Sequence, residues 1–143
     1  MIFNMCSENP KKLKIALVQM TSSKGNILKN LNTTLDYISQ AIANHADIVV
    51  FPEMNLTGYF TEEQYVNSCL DLNSEPVKKI VNVSEDIAIL FGIGEKSNGN
   101  KYITQIYAIS KKVVGIYRKH NIKNKELKLF TPGKNNPVFN INE

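Results

Sequence analysis

Apolar residues along this chain fall into two spacings, short unbroken runs that suit buried strands and steps of three and four that suit amphipathic helices. The first run, Leu13–Met20, predicts a strand, followed by a polar Thr-Ser-Ser-Lys-Gly-Asn loop. From Ile27 the apolar positions are Ile27, Leu31, Leu35, Ile38 and Ile42, one stripe on a helix of about five turns. Asn26 is its cap, and Lys29, Asn30, Asn32, Asp36 and Gln40 form its polar face. His45 is read as a helix-end residue facing the carbonyl end of the dipole, with no catalytic role. Ile48 to Phe51 follow as a short strand buried on both faces, stopped by Pro52, which has no N–H for a ladder.

The second half continues in the same terms. Thr61-Glu62-Glu63-Gln64 has the capping-box pattern and predicts a short helix over Glu62–Leu70 that contains Cys69. Ser74-Glu75-Pro76 opens another helix, with Pro in its first turn and Val77, Ile80 and Val81 on its apolar side. Asp86–Ile93 predicts a third buried strand. Ser97-Asn98-Gly99-Asn100 is a tight hairpin signal, because Asn-Gly tolerates positive φ. Tyr102–Ser110 and Val113–Arg118 predict two more strands with a turn at Lys111-Lys112. The order β-α-β-α-α-β-β-β places parallel units early and hairpins late, which predicts an α/β fold with a mixed sheet and its helices on one face. Residues 1–11 are polar and aperiodic, a flexible N-terminal tail, with one domain over 12–143.

Composition narrows the class only slightly. A chain of 143 residues with 43% hydrophobic and 21% charged residues is ordinary for a soluble globular domain. No apolar run is long enough to span a bilayer, and the amino terminus does not form a signal-peptide core, so the default expectation is cytoplasmic with no membrane partner. Cys6 and Cys69 make neither a metal-ligand spacing nor a disulfide framework and read as reduced thiols, Cys69 as a packing thiol. Charge changes the picture more. Residues 111–134 hold eight Lys or Arg against a single acid, Glu126, whereas the rest of the chain holds nine bases and twelve acids. Such a patch suits a phosphate backbone, but it lacks interleaved aromatic residues and any nucleic-acid module. A solvated face or the mouth of an anionic-substrate site is the better reading, with no nucleic-acid partner.

Two charged residues stand at strand ends, Glu53 after Phe51-Pro52 and Lys119 after Tyr117-Arg118. By residue type alone Glu53 reads as an acid in a solvated loop and Lys119 as one of the basic cluster. The strings around them say more. Phe-Pro-Glu followed by Leu-Thr-Gly-Tyr, with Glu53 as its acid, resembles the first signature of the nitrilase superfamily, the carbon–nitrogen hydrolases. Tyr-Arg-Lys at 117–119 resembles that family's second signature, and Gln19 near the end of the first strand also fits the pattern. Glu126-Leu-Lys-Leu-Phe-Thr-Pro-Gly resembles the segment that carries a second family Glu. One departure is visible: where the family commonly has His two places beyond the Lys, this chain has Asn121, with His120 one place earlier.

The resemblance implies an α-β-β-α sandwich of which this chain is part, and a Glu-Lys-Cys mechanism on amides, carbamoyl amines or nitriles. It maps general base to Glu53, oxyanion stabiliser to Lys119 and auxiliary carboxylate to Glu126, with a small-molecule substrate, no metal or other cofactor, and homo-oligomers in the full-length form. The chemistry is coherent without the name. Hydrolysing an unactivated amide or nitrile requires a nucleophile, a base for its proton and positive charge where the oxyanion forms.

The nucleophile is what the chain lacks. The family Cys lies beyond a strand that Pro137-Val138-Phe139-Asn140-Ile141 begins, and neither Cys6 nor Cys69 stands in a matching place. The expectation is therefore a truncated carbon–nitrogen hydrolase domain, inactive alone, with one sheet face uncovered and marginal stability or a tendency to associate. The rival readings are an inactive relative, a split half that needs a partner chain with the Cys, and, from a different class, a basic nucleic-acid-binding module.

Overall fold

The computed structural model describes residues 12–139. The tail at 1–11 with Cys6, and the end of the strand expected from Pro137, lie outside the described residues, and Pro137–Phe139 carry no regular structure. Five strands form one mixed sheet in chain order: β1 (Ile15–Leu17), β2 (Ile48–Val50), β3 (Ala88–Ser97), β4 (Asn100–Ile109) and β5 (Lys112–Arg118). β1, β2 and β3 run parallel, and β3, β4 and β5 antiparallel.

Helices α1 (Ile27–Ala43) and α2 (Glu75–Asn82) pack on one face of this sheet. There Leu31, Ile38, Ala41, Val77, Ile80 and Val81 meet Val49, Ile89, Phe91, Ile93, Ile106 and Ala108 in the main core. Side chains alternate across a strand, so Ile48, Ala88 and Tyr107 point to the other face, where they pack with Val50, Leu90, Ile109 and Phe139. The β1 end of that face is open, with Ile15 51% and Leu17 80% exposed. A sheet whose second face is apolar and open at its β1 end matches one half of a face-to-face sandwich.

Several local expectations are corrected. β1 is three residues rather than eight, because β2 offers only three residues of ladder before Pro52. The Asn26 cap forms, its side chain accepting from the Lys29 N–H, but Ile42 is 49% exposed and Ala41 takes the buried place. Asn30, expected on the polar face, is buried. The capping box at Thr61 does not form. The Thr61 N–H donates instead to the Glu62 carboxylate, and Glu63–Ser68 is a 3-10 helix that ends before Cys69. β3 runs on to Ser97, and the β4–β5 turn falls at Ser110-Lys111, both with positive φ, one residue earlier than expected. At the β3–β4 hairpin, Asn98 and Gly99 take positive φ as the Asn-Gly signal requires.

The mismatch between a three-residue β2 and a ten-residue β3 creates the loop that matters. Beyond Leu90, the edge of β3 has no strand beside it, yet its groups are paired. The Phe51 N–H reaches the Leu90 carbonyl, the Leu56 N–H the Gly92 carbonyl and the Leu70 N–H the Gly94 carbonyl. The Gly92 N–H donates to Asn55 Oδ1 at 2.7 Å and the Gly94 N–H to Thr57 Oγ1 at 2.8 Å. Side chains of one loop thus substitute for a missing strand.

Candidate active site

Glu53 begins that loop, and the packing beneath fixes it. Met54 has φ 55° and is fully buried, which turns the chain sharply after Glu53. Gly92 is the floor: a Cβ there would lie 2.4 Å from the Met54 nitrogen. Asn55 Nδ2 donates to Thr34 Oγ1, and Asn30 Nδ2 donates to the Ser23 and Leu56 carbonyls, so two buried polar residues of α1 hold the loop from below. At Gly58, with φ +73°, a Cβ would meet the backbone of Ser23 and Lys24 at 2.7 Å.

Lys119 follows β5 and is held by its backbone on two sides. Its N–H donates to the Ile103 carbonyl, and its own carbonyl accepts from the Gly133 N–H. Gly133 has to be glycine, since a Cβ would lie 2.0 Å from the Arg118 carbonyl oxygen. Arg118 itself points to the helix-bearing face, where its guanidinium makes two hydrogen bonds to the buried Glu95 and lies 4.0 Å from the centre of the Tyr102 ring. Adjacent residues at the end of β5 therefore do two jobs, Arg118 as an anchor to Glu95 and Lys119 as an ammonium held between Glu53 and Glu126.

The three residues read as a site from the sequence come together. Lys119 Nζ lies 3.2 Å from the Glu53 carboxylate and 2.9 Å from Glu126 Oε1. The two carboxylates are not equivalent. Glu126, 2% exposed, accepts from Lys119 Nζ and from the Tyr59 hydroxyl at Oε1, and from the Lys123 N–H at Oε2. Glu53 is 43% exposed at its side chain, and Lys119 is the one side chain bonded to it among the described residues. Burial pushes the Glu126 carboxyl up, but the Lys123 N–H, the Lys119 ammonium and the Tyr59 hydroxyl outweigh it and hold the group below the usual range. Lys119 is likewise raised above its ordinary value, its burial outweighed by hydrogen bonds to Glu126 and Glu53. Burial and the bond to Glu126 both push Tyr59 up, so its hydroxyl keeps its proton.

The arrangement is an ammonium fixed by a saturated buried carboxylate, with an exposed carboxylate on its other side. Such a constellation can accept a proton at Glu53 and present positive charge at Lys119. Cys69 is not part of it. Its thiol is buried among Met54, Phe60, Ile103 and Phe130, and burial pushes it up to about 11. No three His, Cys, Asp or Glu side chains among the described residues are grouped to hold a metal, and no helix there is long and apolar enough to cross a membrane. His45 is exposed at the end of α1, with positive φ. The His120 side chain is exposed as well, and its backbone N–H donates to the Tyr117 hydroxyl, so the departure at Asn121 leaves the Lys119 contacts intact.

Sequence reasoning missed Tyr59, Asn55 and Glu95 as functional or anchoring groups. Tyr59 ends the Leu-Thr-Gly-Tyr segment, and Asn55 lies between that segment and Phe-Pro-Glu. Glu95 carried a signal of its own, since it shares the parity of Phe91 and Ile93 and so had to point into the core.

Comparison with known proteins shows the family and the fold. The family model described as carbon-nitrogen hydrolase matches residues 14–143. The glutamine-dependent NAD(+) synthetase of Acinetobacter baylyi is 29% identical over 134 residues, covering 90% of this chain and 25% of that protein. An aliphatic nitrilase of Rhodococcus rhodochrous is 28% identical over 116 residues, covering 69% of this chain and 31% of that one. An amidase from Nesterenkonia sp. superposes with a TM-score of 0.76 at 23% identity, over 88% of this chain and 50% of that chain, a likeness of fold. The chain thus spans between a quarter and a third of the two curated relatives. With its mixed sheet, its one-sided helices and a family match across almost its whole length, the chain belongs to the carbon–nitrogen hydrolase family.

Proposed function

We propose that this chain forms the amino-terminal part of a hydrolase acting on non-peptide carbon–nitrogen bonds of small molecules, by a Glu-Lys-Cys mechanism whose cysteine is supplied by polypeptide beyond these residues. The observation that carries the reading is the convergence of Glu53 and Glu126, from separate loops, within 3.2 Å of the Lys119 ammonium. A buried, high-pKa Cys69 supports placing the nucleophile elsewhere.

In this mechanism Glu53 takes the proton of the cysteine thiol as the sulfur attacks the amide carbon. The carbonyl oxygen becomes an oxyanion beside the Lys119 ammonium. Collapse expels the amine, which receives the proton from Glu53 and leaves as ammonia when the substrate is a primary amide. Water then attacks the thioester, Glu53 taking its proton and returning it to the departing thiol. Glu126 touches neither nucleophile nor leaving group. It holds Lys119 in place and keeps it charged.

Ammonia release over a panel of small amides, carbamoyl amines and glutamine tests this, with the chain alone and with a version extended by the downstream coding sequence. Activity only in the extended form, lost on Glu53→Gln or Lys119→Ala, supports the reading. Activity in the 143-residue chain alone would overturn it, and silence of both forms favours the inactive relative.

A further inference from the structure

Glu53 has the least to hold its side chain of the three site residues: it is 43% exposed, and Lys119 is the one side chain bonded to it among the described residues. Its aim therefore comes from the backbone beneath it. Just before it the chain runs off the end of β2 through Phe51, 3% exposed, and Pro52, which has no N–H. Continuation of the parallel ladder past Val50 and Leu90 would bring the Gly92 N–H to the Phe51 carbonyl. That N–H goes to Asn55 Oδ1 instead, at 2.7 Å, and the Phe51 carbonyl leaves the ladder.

A carbonyl at a buried residue needs another donor. It is Gln105 Nε2, at 3.3 Å, from β4. Gln105 is the register partner of Gly92 and shares the parity of Tyr107, so its side chain lies on the face away from the helices. It reaches the end of β2 across the whole of β3, because β3 carries no side chain at that point. A Cβ on Gly92 would lie 2.9 Å from Gln105 Oε1, 3.0 Å from the Pro52 carbonyl oxygen and 2.4 Å from the Met54 nitrogen. The amide and both chain neighbours of Glu53 thus close over one bare glycine. The Pro52 carbonyl accepts from the Asn55 N–H, so both carbonyls that precede Glu53 are engaged, one within the turn and one by a side chain two strands away.

We propose that Gln105 is a positioning residue for Glu53: its amide, passing over Gly92, holds the Phe51 carbonyl and so fixes the turn that points the Glu53 carboxylate at Lys119. Among the described residues Gln105 itself bonds to neither Glu53 nor Lys119. The proposal rests on the hydrolase reading above and adds to it a residue outside the three signature strings.

The test compares Gln105→Met, which keeps the length of the side chain and removes its donor, with Glu53→Gln in the isotope-labelled 143-residue chain. The readout is the titration of Lys119, followed by NMR at its side-chain carbons, because that ammonium reports whether Glu53 lies beside it. Glu53→Gln should lower the midpoint, and Gln105→Met should reproduce most of the fall while Glu53 is still present. A merely structural role would lower stability and leave the Lys119 midpoint in place. A midpoint that moves in Glu53→Gln but not in Gln105→Met, or that moves in neither, would overturn the proposal. Should Gln105→Met not fold, Gln105→Ala, at a half-buried position that water can fill, carries the same comparison. In the extended form Gln105→Met should lower kcat about tenfold at constant KM, since it misaims the base without touching substrate. A raised KM at constant kcat would make Gln105 a substrate contact and overturn the positioning role. An extended form that hydrolyses no amide removes the hydrolase reading and leaves the Lys119 titration to decide the role of Gln105.

Discussion

Arg118→Met should cost the chain about 3 kcal/mol, at the low end of what breaking a buried ion pair costs, and the loss comes through Glu95. Glu95 is 0% exposed, and its carboxylate accepts from Thr104 Oγ1 at 2.6 Å, Arg118 Nε at 2.8 Å and Arg118 Nη2 at 2.6 Å. Without the guanidinium a buried charge keeps a single hydroxyl donor. The Arg118 side chain is 30% exposed, so water reaches the rim of the gap and moderates the penalty. Adding Glu95→Met removes the orphaned charge and conserves volume, so the double variant should return to within about 1.5 kcal/mol of the parent. Urea unfolding of the parent, both single variants and the double variant closes the cycle. If Arg118→Met is unfolded in buffer, the return of a cooperative transition in the double variant carries the test. A single variant that loses less than about 1 kcal/mol, or a double variant no more stable than Arg118→Met, would refute the reasoning.

Two further outcomes follow from the site. Glu126 is held below its ordinary carboxyl value of 4.5, so it contributes stability above that pH, lost as pH falls through the lower folded value. Tyr59→Phe removes one of the donors that depress it and should move the onset of that loss to higher pH; Glu126→Gln should flatten this part of the acid limb, and urea midpoints that fall with pH as steeply in Glu126→Gln as in the parent would count against the assignment. In a Cys6→Ser background, Cys69 should resist iodoacetamide at about pH 8 until denaturant is added, because its thiol is buried and pushed up to about 11. Native-state alkylation at the rate of a free thiol would restore Cys69 as a candidate nucleophile.

The sequence showed where charge meets strand ends, and little of what holds it there. Glu53 and Lys119 were legible because Pro52 stops one apolar run and Arg118-Lys119 ends another, local events visible in neighbouring residues. The five strands and two main helices were legible for the same reason, as periodicities within single segments. Asn30 was misplaced because helical spacing assigns a face by polarity, whereas this amide is buried in order to clamp Ser23 and Leu56, the latter 26 positions away. Tyr59 and Glu126 are 67 positions apart, and Asn55 and Gly92 are 37. Pairings of that range are fixed by the tertiary fold, and no local pattern records them. The capping box failed for a related reason. Glu62, inside the motif, takes the Thr61 N–H itself and also pairs with Lys24 across a loop.

The unequal treatment of the two carboxylates is what makes the proposed chemistry workable. A lysine between two equivalent acids would be a closed ion pair with nothing to offer an oxyanion. Here Glu126 is the permanent partner, buried and saturated by Tyr59, Lys119 and the Lys123 N–H, while Glu53 is exposed and bonded to Lys119 alone among these groups. When Glu53 takes the thiol proton it becomes neutral, and its hold on Lys119 weakens at the moment the oxyanion appears. The ammonium exchanges one anion for another while Glu126 keeps it in place. The formal charge of the centre is the same before and after attack, so the low-dielectric side of the cleft pays no penalty for net charge created there. Tyr59 and the Lys123 N–H, which touch neither Glu53 nor the reacting bond, act in this scheme by keeping Glu126 ionised throughout the cycle.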